Sequence, residues 1–197
     1  MALRDAPPFR ADHVGSLLRP PELLHARAEA AAGRIGAAEL RAIEDDAIRS
    51  AVRMQEEVGL RTATDGEFRR GSWHMDFIYE PGGVTQLPEE KLRVAFHSDQ
   101  GEVDAVFTGM HVDGKIGLEH TIFDTAFTSL AQAVTTALPK LTIPSPSMVH
   151  YRGGRASIDS VVYPDLAEFW SDLAAAYREE IDRLGKLGCT YLQLDDT

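Results

Sequence analysis

Residues 164–197 read PDLAEFWSDLAAAYREEIDRLGKLGCTYLQLDDT, a proline-opened helix followed by a short apolar strand that ends in two acids. Pro164 suits a first helical turn, where its missing N–H is not needed. Leu166, Phe169, Trp170, Leu173, Tyr177, Ile181 and Leu184 recur at helical spacing, so a helix over 164–187 is expected to bury that stripe. Gly188 closes it, and a strand over 190–194 follows. A long amphipathic helix feeding such a strand points to a parallel α/β sheet, where functional groups gather at C-terminal strand ends.

The same alternation runs back toward the N-terminus. Residues 9–14 (FRADHV) read as a short strand ending in the Gly15-Ser16 turn. Pro20-Pro21 opens a helix over 21–32 that Gly33 stops. A helix over 37–58 carries Leu40, Ile43, Ala47, Ala51, Met54 and Val58 at near-helical spacing, and Gly59 ends it. Residues 60–65 form a strand leading into Gly66-Glu67, and a short helix falls within 71–79. The stretch 81–120 differs in texture. It holds Pro81-Gly82-Gly83, alternating apolar runs and Asp113-Gly114 as a hairpin signal, and reads as an inserted β-meander. A helix over 124–138, a strand over 140–145 and a proline-rich turn complete the pass.

About four barrel-type strands result, whereas a (β/α)8 barrel has eight and typically ~250 residues. The expected fold is therefore α/β, a partial (β/α)8 TIM barrel comprising about the first half. Residues 1–197 would be the N-terminal half of one barrel domain, with the insertion at about 81–120. Half a barrel leaves sheet edges unpaired. The chain is accordingly expected to be a fragment, to self-associate, or to meet a partner half-barrel.

Bulk properties exclude several functions. The formal net charge is −11, and the densest basic pair is Arg69-Arg70, so no basic footprint for nucleic acid exists. No apolar run approaches the ~18–20 residues of a membrane span. The opening MALRDAPPFRADH lacks an apolar signal core, and the single cysteine, Cys189, fits a reducing compartment. A cytoplasmic protein without membrane or nucleic-acid partners is expected.

Four strand ends carry the candidate chemistry: His13-Val14-Gly15-Ser16, Asp65-Gly66-Glu67, Ser145-Pro146-Ser147 and Asp195-Asp196. The Gly15-Ser16 turn offers backbone N–H groups and a hydroxyl to a carboxylate, or is an ordinary strand-to-helix turn. Glu67 and Asp195 could clamp an ammonium, do acid–base work, or be solvated loop acids. His13 could be a ligand, an acid–base group or a structural hydrogen-bonder. His97, His111 and His120 lie in the meander without metal-ligand spacing, and His150 is expected at the surface, so no metal site is read here. Gly153-Gly154 lacks the P-loop lysine, and Cys189 reads as a buried inert thiol.

Several of these segments resemble one family, in order. FRADHVGSLLRPPEL resembles the opening of the catalytic domain of cobalamin-independent methionine synthases and their shorter single-barrel relatives. TDGEFRR resembles that family's His-Gly-Glu-Phe-Glu-Arg segment, SPSMV its Gly-Pro-Val-Thr turn, and GCTYLQLDDT its strand ending in Ile-Asp-Glu-Pro-Ala. The resemblance spans residues 9–197 apart from 81–120.

The resemblance implies a 5-methyltetrahydropteroyltriglutamate–homocysteine S-methyltransferase-like enzyme that makes methionine. It implies that Val14, Gly15 and Ser16 bind the amino acid part of a small thiol substrate and that Glu67 and Asp195 hold its ammonium. His13, Asp65 and Asp196 stand beside these residues. The family's zinc ligands come later in the barrel, and no segment here matches them, so zinc would be held beyond residue 197 and a folate would be the methyl donor. No catalytic residue is expected within 1–197, and the isolated chain is expected to be inactive. Three alternatives stay open. One is a relative alkylating another thiol, such as coenzyme M. Another is a non-catalytic binding module. The third is a barrel like uroporphyrinogen decarboxylase, with Arg10, Arg19, Arg69 and Arg70 as its cations.

Overall fold

The computed structural model describes residues 12–98, 101–151 and 153–196, those at 92–98, 102–105 and 107 by backbone alone. Residues 9–11 of the expected first strand, Arg10 among them, lie outside the described residues, as do Thr197 and the His97 side chain. The fold is mixed α/β and divides into two compact units. One holds the described residues up to Trp73 together with Phe123–Ile143 and Leu184–Asp195; the other holds His74–Ile122, Pro144–Arg183 and Asp196.

In the first unit, α1 (Pro21–Ala31) starts on Pro20 as N-cap with proline at its first position. It buries Leu23 and Ala26. Helix α2 (Ala37–Glu57) buries Glu44, Ile48, Ala51, Val52 and Gln55. The expected apolar stripe is therefore rotated, since Met54 and Val58 are exposed. The buried face accepts two polar residues because both find partners. Glu44 meets Arg27 at 3.5 Å and Arg69 at 3.9 Å. The Gln55 amide donates to the carbonyls of Ala51 and Thr64. Leu23, Ile48, Val52, Phe68 and Leu130 form the core these helices share.

Strands in this unit are short. Residues 12–14 form none; the first strand reduces to a parallel bridge between Ser16 and Gly66. β1 (Thr62–Ala63) pairs in parallel with β4 (Leu138–Pro139), and β5 (Leu141–Pro144) neighbours β6 (Leu192–Asp195). The Lys140 N–H donates to Ala63 and the Leu141 N–H to Tyr191, so successive segments lie side by side in chain order. Among the described residues the strands form three two-stranded sheets, none closed into a barrel.

Helix α4 (Asp124–Ala133) stops short of the expected residue 138. Val134 turns extended, and the Glu56 carboxylate takes the N–H groups of Thr135, Thr136 and Ala137 at 2.7–2.9 Å. Those hydrogen bonds replace the ones a further helical turn would make.

In the second unit the inserted segment is a single two-stranded ribbon rather than a meander. β2 (Gly82–Ser98) pairs antiparallel with β3 (Gly101–Gly117), and Ser98 is opposite Gly101. Asp113-Gly114 is thus not the reversal but part of β3. Gly114 lets Gly83 approach, since a β-carbon on it would sit 3.0 Å from Gly83 Cα. Asp113 accepts the Thr85 hydroxyl at 2.9 Å. The short helices α3 (Met75–Ile78) and α5 (Ser147–Tyr151) and a 3-10 turn (Gly154–Ser157) follow the same unit.

Helix α6 (Leu166–Lys186) buries Phe169, Leu173, Ala176, Tyr177, Glu180 and Leu184, while Trp170 and Ile181 stay exposed. Tyr163, fully buried, receives the Ile116 N–H and donates to Asp172. His150 is half-buried, its ring 5.3 Å from that of Trp170, rather than a surface histidine. Among the described residues no helix is long and apolar enough to cross a membrane.

Candidate functional site

The segment Thr64–Arg70 builds the centre of the site. Gly66 has φ 67° and Glu67 has φ 58°, and Glu67 is the one non-glycine residue with positive φ among the described residues. A side chain in that region is disfavoured and persists only where surroundings hold it. Here they do. The Thr64 hydroxyl accepts the Gly66 N–H, and Asp65 Oδ1 accepts the Glu67 N–H at 2.9 Å. From outside the turn, Arg19 donates to the carbonyls of Glu67 and Arg70, and Arg27 to those of Phe68 and Arg70.

The strained backbone delivers the Glu67 carboxylate to a buried position, 3% exposed. Oε1 receives the Thr142 hydroxyl at 3.1 Å and lies 3.8 Å from the Arg70 guanidinium. Burial pushes the Glu67 carboxyl up, against the opposing effects of Arg70 and Thr142; Asp65 and Asp195 add to the rise. A buried acid whose burial Arg70 and Thr142 do not fully offset, with further acids near it, is an arrangement that favours a cation.

Gly15 completes the enclosure. Its φ is 145°, and a β-carbon would stand 2.7 Å from Thr142 Cγ2 and 3.2 Å from Glu67 Oε1. The Gly15 carbonyl accepts the Thr64 hydroxyl at 2.6 Å. On the far strand, the Gln193 amide donates to the Val14 carbonyl at 2.9 Å and to Asp195 Oδ1 at 2.5 Å. Val14 and Ser16 are exposed, and Asp195 is half-buried. The structure therefore brings Val14, Gly15, Ser16, Glu67 and Asp195 together within one unit.

The neighbouring candidates divide. Asp65 positions Glu67, and its Oδ2 is buried with no hydrogen-bond partner among the described residues. His13 pairs through Nε2 with Gln55 Oε1 at 2.8 Å. That oxygen already accepts the Thr64 N–H, so Nε2 must be the protonated nitrogen. His13 is thereby a structural hydrogen-bonder that braces the strand before Asp65. Asp196 belongs to the second unit. It takes the hydroxyls of Ser145 and Ser147 at 2.8 and 2.7 Å, and these hold its carboxyl below the usual range.

Thr142, Gln193, Arg19 and Arg27 support the site without having been singled out for that role. Gln193 alone carried a signal, since it lies two residues before Asp195 on the same strand face. Of the arginines expected for a polycarboxylate substrate, Arg19, Arg69 and Arg70 are engaged internally, and Arg10 lies outside the described residues. Arg69 pairs with Asp45, and Arg70 donates to the Thr142 carbonyl at 2.7 Å. Cys189 is half-buried, which pushes its thiol up, with its S–H directed to the Tyr191 carbonyl.

No family model matches the chain. It is 41% identical over 191 residues to the uncharacterized protein YxjH of Bacillus subtilis, covering 96% of this chain and 48% of that one. It is 40% identical to YxjG of the same organism, covering 98% and 50%. The chain thus spans about half the length of the curated relatives it matches. A solved structure from Listeria monocytogenes, provisionally named a vitamin-B12-independent methionine synthase, superposes with a TM-score of 0.77 at 39% identity, covering 95% of this chain and 51% of that one. A B12-independent methionine synthase from Shewanella sp. W3-18-1, solved with selenomethionine, superposes with a TM-score of 0.60 at 21% identity, covering 83% and 44%, and shares the fold.

Proposed function

We propose that this chain is the first half of a cobalamin-independent methionine synthase-type barrel and carries that half's share of a pocket for a thiol amino acid such as homocysteine. The observation that supports it most is the convergence of the Gly15 turn, Glu67 after β1 and Asp195 at the end of β6. Two further facts agree with it. Ser16 beside Gly66, β1 beside β4 and β5 beside β6 is the neighbour order that a parallel barrel lays down. The Listeria neighbour, similar along 95% of this chain, bears a name of that class.

In this reading Glu67 and Asp195 take the substrate ammonium. A cation between them offsets the burial that disfavours the ionised Glu67, so binding and ionisation support each other. The exposed Ser16 hydroxyl and the Val14-Gly15-Ser16 backbone take the substrate carboxylate. Asp65 fixes the Glu67 backbone, and Gln193 fixes Asp195 against Val14. The chain's contribution to a transfer reaction is then positioning of the thiol-bearing zwitterion.

The described residues do not fit a zinc ion. The gathered donors are carboxylates and hydroxyls, and among the described residues no three His, Cys, Asp or Glu are grouped to hold a metal. Zinc, a methyltetrahydrofolate-type donor and a cytoplasmic location belong to the proposal for the whole protein, with zinc ligands beyond residue 197.

Calorimetry on the folded chain tests the pocket. Homocysteine and methionine should both give binding heat, 4-mercaptobutyrate, which lacks the ammonium, should give none, and Glu67→Gln should abolish the signal. Absence of heat from both amino acids would sink the assignment.

A further inference from the structure

The ribbon of the second unit carries a feature that the thiol pocket does not use. Leu87 pairs with Gly109 and Lys91 with Thr108, so residues 88–90 are extra on one strand while none intervene on the other. Bulges of this kind break the ladder and re-aim a side chain. This one lays Glu90 across Gly109: a β-carbon there would meet Glu90 Cβ at 2.8 Å and its Oε2 at 3.1 Å. Pro88 within the bulge has no N–H for a ladder bond. The ribbon is pinned beside it by the Tyr79 hydroxyl, which donates to the Thr108 carbonyl at 2.8 Å.

Glu90 borders a cavity of about 210 Å³ lined also by Met75, Met110, Met148, His111 and Ser157. Three of the five methionines in the chain are therefore gathered here. Methionine fills irregular space and adapts to a guest through its flexible, polarizable thioether. An apolar cavity of ~150 Å³ already admits benzene, so this one has room for an aromatic ring with a short substituent. Among the described lining residues Glu90 is the single acid, and none is a lysine or arginine.

We infer that this cavity is a binding site for a small organic cation with an apolar body, such as a primary aryl- or alkylammonium, its ring or chain on the methionines and its charge on Glu90. The bulge leaves three residues unpaired and sets one carboxylate at the mouth of a sulfur-lined hollow whose other polar side chains among the described residues are His111 and Ser157. The inference is independent of the thiol pocket, which lies in the other unit.

The test uses the full chain labelled with 13C-methyl methionine and titrated with benzylammonium, benzyl alcohol and benzoate. Benzylammonium should move the Met75, Met110 and Met148 methyl signals saturably and leave Met54 in place. It should bind about tenfold more tightly than either comparison compound, the scale of one charge-assisted hydrogen bond. Glu90→Gln, at an exposed position, should keep its melting midpoint and lose that preference. No saturable shift, equal affinity for the three probes, or a preference unchanged in Glu90→Gln would each overturn the inference.

Discussion

The Thr142 hydroxyl donates to Glu67 Oε1 across 3.1 Å from a strand 75 residues away in the chain. Even with that bond and Arg70 nearby, burial dominates and Glu67 titrates above its ordinary 4.5. A raised carboxyl contributes stability that is complete below the unfolded value and is lost as pH rises through the folded one. The empty site is therefore destabilised at neutral pH. Glu67→Gln should raise the midpoint of urea unfolding at pH 7, by about 1 kcal/mol, while ending ligand binding. The gain should shrink as pH falls toward 4.5. A variant no more stable than the parent at pH 7 would show that Glu67 is not held at a cost.

The same shift has a calorimetric signature. An ammonium beside Glu67 lowers its pKa, so binding must release protons at any pH between 4.5 and the raised folded value. Methionine, which has no thiol to titrate, should give heats that depend on buffer ionisation enthalpy just above pH 4.5, and the dependence should fade as pH rises past the folded value. Heats independent of buffer throughout would place the ammonium elsewhere.

Gly15→Ala should cost about 2 kcal/mol, because φ 145° disfavours a side chain and Thr142 Cγ2 stands 2.7 Å from the new methyl. Gly185→Ala is the internal control. It lies in α6 with nothing within 4 Å, and alanine there should stabilise by roughly 0.5–1 kcal/mol. Thermal melts of the two variants should move in opposite directions. Equal shifts would deny that the Gly15 turn is sterically closed.

Glu56 offers a prediction outside the site. Its carboxylate collects three consecutive N–H groups and the Thr135 hydroxyl, and the bond from Ala137 leads in bringing it down to about 2 from an ordinary 4.5. A depressed carboxyl stabilises fully above its unfolded value and loses that contribution as pH falls through the folded one. Glu56→Gln should therefore cost about 1 kcal/mol at pH 7, on the scale of a lost helix cap with solvent screening. The difference from the parent should close between pH 4.5 and 2. A gap constant over that window would assign the effect to packing rather than charge.

What could be read from the sequence was local. Pro20-Pro21, Gly33, Gly59 and Gly188 mark real helix ends, and Glu67 after β1 and Asp195 at the end of β6 lie with the Gly15 turn in one unit. What escaped depended on distant partners. The face of α2 turns inward around Glu44 and Gln55 because Arg27, Arg69 and Thr64 satisfy them. α4 ends where Glu56, about eighty residues earlier, captures its successors. Asp113-Gly114 has the chemistry of a tight turn, yet it lies within β3, in the register shift opposite Gly83, with the Asp113 carboxylate accepting the Thr85 hydroxyl. Short-range pattern carries no information about such pairings.

The ion pair of Asp12 and Lys140 shows how a long-range contact that no local pattern marks can hold the sheet. The Lys140 side chain is 0% exposed, and its ammonium donates to Asp12 Oδ2 at 2.9 Å and to the His13 carbonyl at 2.5 Å. Burial alone would raise Asp12, but the hydroxyl of Tyr191 and the ammonium of Lys140 outweigh it and bring the carboxyl down to about 2. Removing one partner of such a pair leaves a buried charge, which costs more than removing both. Asp12 is itself exposed, so screening reduces the cost: Asp12→Asn should destabilise by about 1–2 kcal/mol at pH 7, and the double variant Asp12→Asn with Lys140→Met by less. Asp12's contribution is present above its ordinary 3.8 and lost as pH falls toward 2, so the gap between parent and Asp12→Asn should close over that interval. Urea midpoints of the parent, both single variants and the double variant from pH 7 to 2 decide the matter. Additive single and double variants would mean that the two charges stabilise the fold independently.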